Sequence, residues 1–247
     1  MKALANPFAS QRAEWAAKTR SALAGRGHPV PAILWQGELD DRWFLVVETR
    51  LPGQALRALD PSALDELLRI VDLQADPRLE PGGWDVSWYM AVVLFEGWER
   101  WWDGAEAVVP GTSGRLRTFL TPAWGHRLPA ADVVHGDLNI TNVLTRGGAI
   151  TGVVDWDHVG LGSRAADLTS LLFDWHRLRL AGERTTAPDG GERLVRRITQ
   201  MVGEEGLRCT VTYGAIARLA LTARRGSREE VESWRHVTEA ILDSMPT

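Results

Sequence analysis

Two polar segments, each preceded by an apolar run, carry the side chains best suited to chemistry. His135 and Asp137 follow Val133–Val134, Asn142 comes five residues after Asp137, and Asp155 follows a second apolar run. Strands on either side of such loops would hold these side chains rigidly. Phosphoryl transfer requires a carboxylate beside the incoming hydroxyl and oxygen ligands for Mg²⁺. The pattern therefore predicts Mg²⁺-assisted transfer from ATP, with Asp137 as the base and Asn142 and Asp155 as metal ligands.

The elements that position these loops can be predicted from hydrophobic periodicity and from the glycine and proline residues that interrupt it. The predicted helices cover Gln11–Gly25, Pro61–Gln74, Asp85–Trp102, Ser113–Trp124 and most of Ala165–Met245, with interruptions near Ala187–Gly191, Gly203–Gly206 and Gly226. The predicted strands cover Ala32–Gln36, Trp43–Thr49, Asp132–His135, Asn142–Thr145 and Ile150–Asp155, and Gly37–Asp41 is the predicted turn between the first two. This order predicts an α+β protein with a small mixed lobe and a larger helical lobe.

Composition excludes several classes of protein. The 247 residues are 45% hydrophobic and 24% charged, which is typical of a globular protein and excludes a disordered chain. The net charge of −4 gives no basic field for nucleic acid or anionic membranes. We expect no membrane span, no signal peptide and no disulfide, because apolar runs are short and Cys209 is the only cysteine. A cytoplasmic location is expected.

The stretch from Val133 to Leu144, with Gly152-Val-Val-Asp-Trp-Asp157, resembles the catalytic and metal-binding loops of the aminoglycoside phosphotransferase and choline kinase family, relatives of the protein kinases. The resemblance implies a two-lobed protein-kinase-like fold and transfer of the ATP γ-phosphoryl group to a small-molecule hydroxyl. Its implied acceptors are aminoglycosides, macrolides, amino alcohols or sugars, with antibiotic resistance as an associated role. Asp137 matches the catalytic base, Asn142 and Asp155 match the Mg²⁺ ligands, and His135 and Asp167 match structural residues of the family.

The resemblance extends upstream of these loops. Trp43–Gly53 is similar to the last strand of the family's N-lobe and its hinge, which implies that the backbone around Glu48, Thr49 and Arg50 contacts adenine. Glu14 matches the partner of the family's phosphate-binding lysine. Residues 1–52 are then a partial N-lobe that ends in the hinge, and residues 53–247 are a C-lobe with both loops and the acceptor-binding helices.

The family's first two strands and phosphate-covering loop have no counterpart before the first predicted helix. Lys2 is the only lysine placed to contact phosphate, and Lys18 is the only other lysine in the chain. An ordinary terminal residue is the alternative interpretation of Lys2, as a solvated helix face is for Glu14. We expect from this a chain truncated at its N-terminus.

Some residues allow two interpretations at this stage. His135 is either a core histidine or an acid–base group, and Asp157 is either a second metal contact or a turn residue. The tryptophans in and next to the third predicted helix form either a packed helix face or a wall of the acceptor pocket. That group comprises Trp84, Trp88, Trp98, Trp101 and Trp102.

Two other classes of function stay open from the sequence. One is a catalytically silent kinase homologue that binds nucleotide or a partner. The other is a metallohydrolase with His135, Asp137, Asp155 and His158 as ligands. The acceptor, the choice between ATP and GTP and the oligomeric state are left undetermined.

Overall fold

The structure is a computed structural model, and it describes residues 2–4, 9–40, 43–75, 84–96 and 99–245. Its helices are α1 Ala9–Gly25, α2 Pro61–Asp72, α3 Val86–Phe95, α4 Glu99–Val108, α5 Pro110–Leu120, α6 Ala165–Leu180, α7 Gly190–Arg225 and α8 Arg228–Ser244. Its strands are β1 Lys2–Leu4, β2 Ile33–Asp40, β3 Trp43–Glu48, β4 Gln54–Ala55, β5 Trp84–Asp85, β6 Asp132–Val134, β7 Val143–Arg146, β8 Ala149–Val153 and β9 Gly160–Gly162. The predicted α+β class, with a strand-rich part before a helical part, is confirmed.

The strands form three small sheets rather than one continuous sheet. The N-terminal sheet has the order β1-β3-β2 with antiparallel pairing, and α1 packs against β2 and β3. The second sheet has the order β4-β7-β8 and the third β5-β9-β6. The second and third sheets lie on either side of the predicted chemical loops, because β6 ends at Val134 and β8 ends at Val153.

The core of the helical part is formed by α6 and α7 with the helices around them. Phe173, Leu168 and Leu171 of α6 and Leu219 of α7 have no exposed surface. Burial of each such side chain stabilises the fold by roughly 1.5–3 kcal/mol. Because α6 is held on several sides, it is a rigid support for any loop that bonds to it.

Local signals explain where several helices begin and end. The Asp60 carboxylate accepts the Ala63 N–H at 2.9 Å, and Pro61 occupies the first turn of α2, where its missing N–H is not needed. The Ser227 hydroxyl caps α8 in the same way. Gly226 ends α7 in the left-handed conformation, with φ +74°.

Several sequence predictions of element boundaries need correction. The helix predicted over Asp85–Trp102 is two helices, because Glu96 leaves helical dihedral angles after α3. The predicted turn at Gly37–Asp41 is too long, since β2 continues to Asp40. α5 begins at Pro110 rather than Ser113. The interruption predicted near Gly203 is confirmed, because Gly203 has the non-helical angles φ +72° and ψ −179° and forms a kink within α7. Strand β1 was not predicted at all.

Candidate active site

A buried carboxylate anchors the first loop. Asp167 of α6 accepts the N–H groups of His135 and Gly136 at 2.8 and 3.1 Å. The side-chain amide of Gln74 donates to the same carboxylate at 2.9 Å. Burial raises the pKa of Asp167 to about 6, although these three hydrogen bonds favour the charged form. The loop that carries Asp137 is therefore fastened to a helix of the protein core.

The ring of His135 links the two loops. Its Nε2 lies 2.9 Å from the Val154 carbonyl, so Nε2 must donate, and Nδ1 accepts the Asp137 N–H at 3.2 Å. The ring packs against Trp156, with 4.5 Å between centroids, and burial lowers its pKa to about 4. His135 is thus a neutral imidazole with both nitrogens engaged, which is the geometry of a structural brace.

The carboxylate of Asp137 is oriented by two amides. Asn139 Nδ2 donates to Asp137 Oδ1 at 3.0 Å, and Asn142 Nδ2 lies 3.3 Å from Oδ2 and 2.9 Å from the Asp137 backbone oxygen. Asp137 is exposed, whereas Asn142 is buried. Because the amide nitrogen of Asn142 is used in this way, its Oδ1 is the atom left to bind a cation.

A second buried carboxylate holds the far side of the loop. Asp174 of α6 accepts the Ile140 N–H at 2.8 Å and is only 2% exposed. Asp167 and Asp174 are seven residues apart, about two turns of one helix, so both face the loop. Asp174 was not predicted from the sequence, although its helical spacing after Asp167 was a signal for it.

Asp155 has a backbone conformation that is uncommon for residues other than glycine. It has φ +68° and ψ +56°, and it is the only non-glycine residue with positive φ in the described part of the chain. Such a conformation costs roughly 1–2 kcal/mol for an L residue and often marks a functional position. The Val154 N–H donates to the Asn142 backbone oxygen at 2.8 Å, so Asp155 directly follows a residue bonded to Asn142.

The two loops touch at Gly136. It has φ +81°, and a Cβ there would lie 2.4 Å from the His158 carbonyl oxygen. Asp157 and His158 occupy a short 3-10 turn, Trp156–His158, and both are exposed. Only glycine therefore allows the loop of Asp137 to approach the loop of Asp155 this closely.

The predicted hinge lies at the end of β3. Glu48 pairs with Arg20 of α1 at 2.5 Å, and Arg20 also donates to the Pro31 carbonyl at 3.0 Å. The Thr49 N–H donates to the Ala32 carbonyl at 2.8 Å, and the Thr49 hydroxyl accepts the Ala32 N–H. Thr49 N–H is thus already used by the protein, whereas Arg50 is exposed after the strand. The buried Arg20, which ties α1 to this segment, was not singled out from the sequence.

The two remaining predicted nucleotide contacts lie on β1 and α1. Lys2 pairs with Val46 of β3 through the backbone, and its side chain lies outside the described part of the structure. Glu14 is exposed on α1. A pairing of the two side chains stays a prediction.

The predicted tryptophan group does not form a single packed face. Trp102 is buried under the Arg117 guanidinium, whereas Trp84 is 40% and Trp88 53% exposed. Trp101 is half-buried, and Trp98 lies outside the described residues. The helix-face interpretation therefore holds for Trp102, and the break between α3 and α4 separates it from the exposed pair.

The donor set of the site fits Mg²⁺ better than a transition metal. Asn142 and Asp155 offer amide and carboxylate oxygens, the hard ligands that Mg²⁺ takes alongside phosphate and water. Among the residues the structure describes, no three His, Cys, Asp or Glu side chains form a metal cluster. His135 has no ring nitrogen left over, so the metallohydrolase alternative loses its first ligand.

Comparison with known proteins gives the class. Residues 4–198 match APH, the phosphotransferase enzyme family, and the chain belongs to that family. The match confirms the family resemblance seen in the sequence.

One relative in this comparison is a homoserine kinase. The chain is 34% identical to the homoserine kinase of Chelativorans sp. (strain BNC1) over 87 residues, which is 32% of this chain and 27% of that protein. The aligned part thus spans about a quarter of that relative.

Two solved structures show the same fold. A thermostable mutant of aminoglycoside phosphotransferase APH(4)-Ia, in a ternary complex with ADP and hygromycin B, has a TM-score of 0.67 at 17% identity, covering 94% of this chain and 83% of that chain. Amicoumacin kinase hAmiN, in complex with AMP-PNP, Ca²⁺ and Ami, has a TM-score of 0.60 at 15% identity, covering 96% and 79%. The fold is therefore protein-kinase-like, as predicted.

Within the described ranges, no helix has both the length and the apolar character needed to cross a bilayer. Even α7, at 36 residues, carries charged side chains along its length.

Proposed function

We propose that this protein transfers the γ-phosphoryl group of ATP to a hydroxyl group of a small molecule. The observation that carries the proposal is the joint placement of Asp137, Asn142 and Asp155. The Asn142 side-chain amide donates to the Asp137 carboxylate at 3.3 Å. Val154, the residue before Asp155, donates its backbone N–H to the Asn142 carbonyl, which links the loop of Asp155 to the loop of Asp137. Family membership supports the reaction class.

Asp137 is proposed as the group that orients the acceptor. Its carboxylate is exposed and held by Asn139 and Asn142, so it can accept a hydrogen bond from an incoming hydroxyl. As the oxygen attacks the γ-phosphorus, the bond to the β–γ bridging oxygen of ATP breaks and ADP leaves. The hydroxyl proton passes to Asp137, and the phosphoryl group moves to the acceptor oxygen.

Asn142 Oδ1 and the Asp155 carboxylate are proposed to hold Mg²⁺. Bound there, Mg²⁺ would neutralise charge on the ATP phosphates. The left-handed backbone of Asp155 is explained if it aims this carboxylate at the phosphates. Asp157, two residues later and exposed, would lie at the edge of the same site.

The nucleotide is proposed to bind between the β1-β3-β2 sheet and these loops. In this arrangement residues 1–52 form an N-lobe that ends in the hinge, and residues 53–247 form the C-lobe. The Glu48–Arg50 backbone would contact adenine, with the Arg50 N–H as a donor because that of Thr49 is already used. Lys2 and Glu14 would orient the phosphates. The fold neighbours with ADP or AMP-PNP support a nucleotide ligand.

The acceptor is proposed to be a hydroxylated small molecule. The relatives' names refer to homoserine, hygromycin B and amicoumacin, which differ widely in charge. An antibiotic-modifying role is one outcome of this proposal, and a metabolic role is another. With Asp137, Asn142 and Asp155 assembled, the arrangement favours an active enzyme over a silent homologue.

The proposal is tested by measuring ADP release with a panel of hydroxylated acceptors in the presence and absence of Mg²⁺. Acceptor-dependent ADP release that requires Mg²⁺ and disappears in Asp137→Ala is the expected result. Equal release from Asp137→Ala would overturn the assignment of Asp137. A protein that MgATP stabilises, but that transfers phosphate to no acceptor, would favour the silent homologue.

A further inference from the structure

A guanidinium that the proposed reaction does not use lies behind the loop of Asp137. The Arg218 side chain of α7 packs over the rings of Phe173 and Trp234, with Cζ 4.4 and 5.3 Å from their centroids. Phe173 directly precedes Asp174, which holds the Ile140 N–H of that loop. Arg218 therefore packs against the residue next to the carboxylate that holds this loop.

The neighbouring carboxylate of Asp174 is bonded to donors other than Arg218. Asp174 is already bonded to Ile140 N–H and to the Arg177 guanidinium, at 2.8 and 3.2 Å. Within the described residues, the only hydrogen-bond acceptor of Arg218 is the Gly214 carbonyl at 3.1 Å. Two guanidinium groups thus face one carboxylate, and most of the five N–H donors of Arg218 stay available.

The sequence around Arg218 makes room for it. A Cβ on Gly214 would lie 2.9 Å from the Phe173 ring and 3.4 Å from Arg218 Nη1. Gly214 thus leaves the space in which the guanidinium rests on the aromatic ring. An arginine held this way is restricted before any ligand binds, which favours bidentate recognition of a carboxylate or phosphate group.

The charge of Arg218 also acts on the site. Burial lowers the pKa of Arg218, while the Asp174 and Asp137 carboxylates and Tyr213 oppose that shift and Arg177 adds to it. The guanidinium is therefore close enough to Asp137 for the two charges to interact. A ligand anion that bonded to Arg218 would place the rest of the molecule near the base.

We propose that Arg218 is a specificity-determining residue that binds an anionic group, a carboxylate or phosphate, of the hydroxyl acceptor. The inference rests on the proposed function, and it narrows the acceptor class to molecules that carry both a hydroxyl and an anionic group. It disfavours a polycation such as hygromycin B, because such a molecule offers Arg218 no anionic group.

The test compares Arg218→Met with Arg208→Met. Arg208 is a matched control on the same helix: its Cζ lies 4.8 Å from the Phe119 ring, and it donates to the Phe119 carbonyl at 3.1 Å. The probes are hydroxy acids paired with their amides, which lack the anionic group, such as L-homoserine with L-homoserinamide, together with hygromycin B. Kinetics of ADP release give kcat and KM for each.

The carboxylate member of a pair should have the higher kcat/KM, and Arg218→Met should lower that value roughly 10- to 100-fold, mainly through KM. Arg208→Met should change it less than about twofold. Preference for the amide or for hygromycin B would overturn the inference, as would equal effects of the two variants. A loss of kcat that is the same for acid and amide would also overturn it, because Arg218 would then act on the transferred phosphoryl group.

If no acceptor in the panel is phosphorylated, thermal unfolding with AMP-PNP and each hydroxy acid decides the matter. Stabilisation by hydroxy acids in the wild type and Arg208→Met, but not in Arg218→Met, would support the anion site while counting against the proposed reaction. Absence of stabilisation by every hydroxy acid would overturn the anion site.

Discussion

The side-chain amide of Asn142 donates to both the backbone oxygen of Asp137, at 2.9 Å, and its carboxylate, at 3.3 Å. One amide therefore sets the position of the proposed base and, through its remaining oxygen, offers a ligand for a cation. Positioning of the acceptor hydroxyl and positioning of Mg²⁺ would be coupled through Asn142. Changes at Asp137 and at Asp155 should consequently separate transfer from nucleotide binding.

Asp137→Asn should reduce phosphoryl transfer by about 10²- to 10⁴-fold, because the amide cannot accept the hydroxyl proton. The side chain is exposed and its volume is retained, so the fold should be unchanged. Affinity for MgATP, measured by calorimetry, should stay within about threefold of the wild type. A variant that turns over at the wild-type rate would contradict the role of Asp137.

Asp155→Asn should weaken Mg²⁺-dependent ATP binding while leaving stability within about 0.5 kcal/mol, because Asn tolerates the left-handed conformation. Asp155→Ala should lose the same binding and also about 1–2 kcal/mol of stability, because Ala does not tolerate φ +68°. Denaturant unfolding of the two variants side by side separates backbone strain from metal binding. Equal stability of the two would contradict the strained backbone.

Gly136 and Gly125 have the same φ of +81°, so Gly136→Ala and Gly125→Ala form a matched pair of substitutions. Gly125 has open space around a Cβ, whereas a Cβ at Gly136 would meet the His158 carbonyl oxygen at 2.4 Å. Gly125→Ala should cost about 1–2 kcal/mol of unfolding free energy. Gly136→Ala should cost about 1–3 kcal/mol more and should lower transfer, because it pushes the two loops apart. Equal costs, measured by urea unfolding, would contradict the close approach of the loops.

The sequence was informative where short-range signals and motif spacing agreed. The apolar runs before His135 and Asp155 are strands, and the spacing from Asp137 to Asn142 brings the two side chains into contact. It was uninformative about partners distant in the chain. Gln74 reaches Asp167 across 93 residues, and no local pattern distinguishes a glutamine with such a partner.

The helix break after Phe95 is a second feature that was not predicted from the sequence. Apolar residues continue at helical spacing through Trp102, so periodicity alone favours one helix. The backbone at Glu96 nevertheless leaves helical angles, and α4 begins at Glu99. Gly97 directly follows Glu96 and is a local helix-ending signal that periodicity alone does not take into account.

Stability should fall in mild acid because three histidines are buried as neutral rings. Burial lowers the pKa of His28 to about 3 and those of His135 and His176 to about 4, from 6.5. As pH falls below 6.5, the unfolded chain binds protons that the folded chain does not. Each histidine then lowers the unfolding free energy by up to about 1.4 kcal/mol per pH unit, until its folded pKa is reached.

Asp167 opposes this trend. Its pKa is raised from 3.8 to about 6, so on acidification the folded chain binds this proton before the unfolded chain does. Protonation of Asp167 therefore stabilises the fold. This stabilisation is fully present below pH 3.8 and is lost as pH rises through about 6. Three histidines outweigh one carboxyl group, so urea unfolding between about pH 7 and about pH 4 should show a net loss of stability on acidification. His28→Phe, which can keep the ring contact with Trp156, should make the slope shallower, and Asp167→Asn should make it steeper. A slope that neither variant changes would show that these groups titrate alike in the folded and unfolded chains.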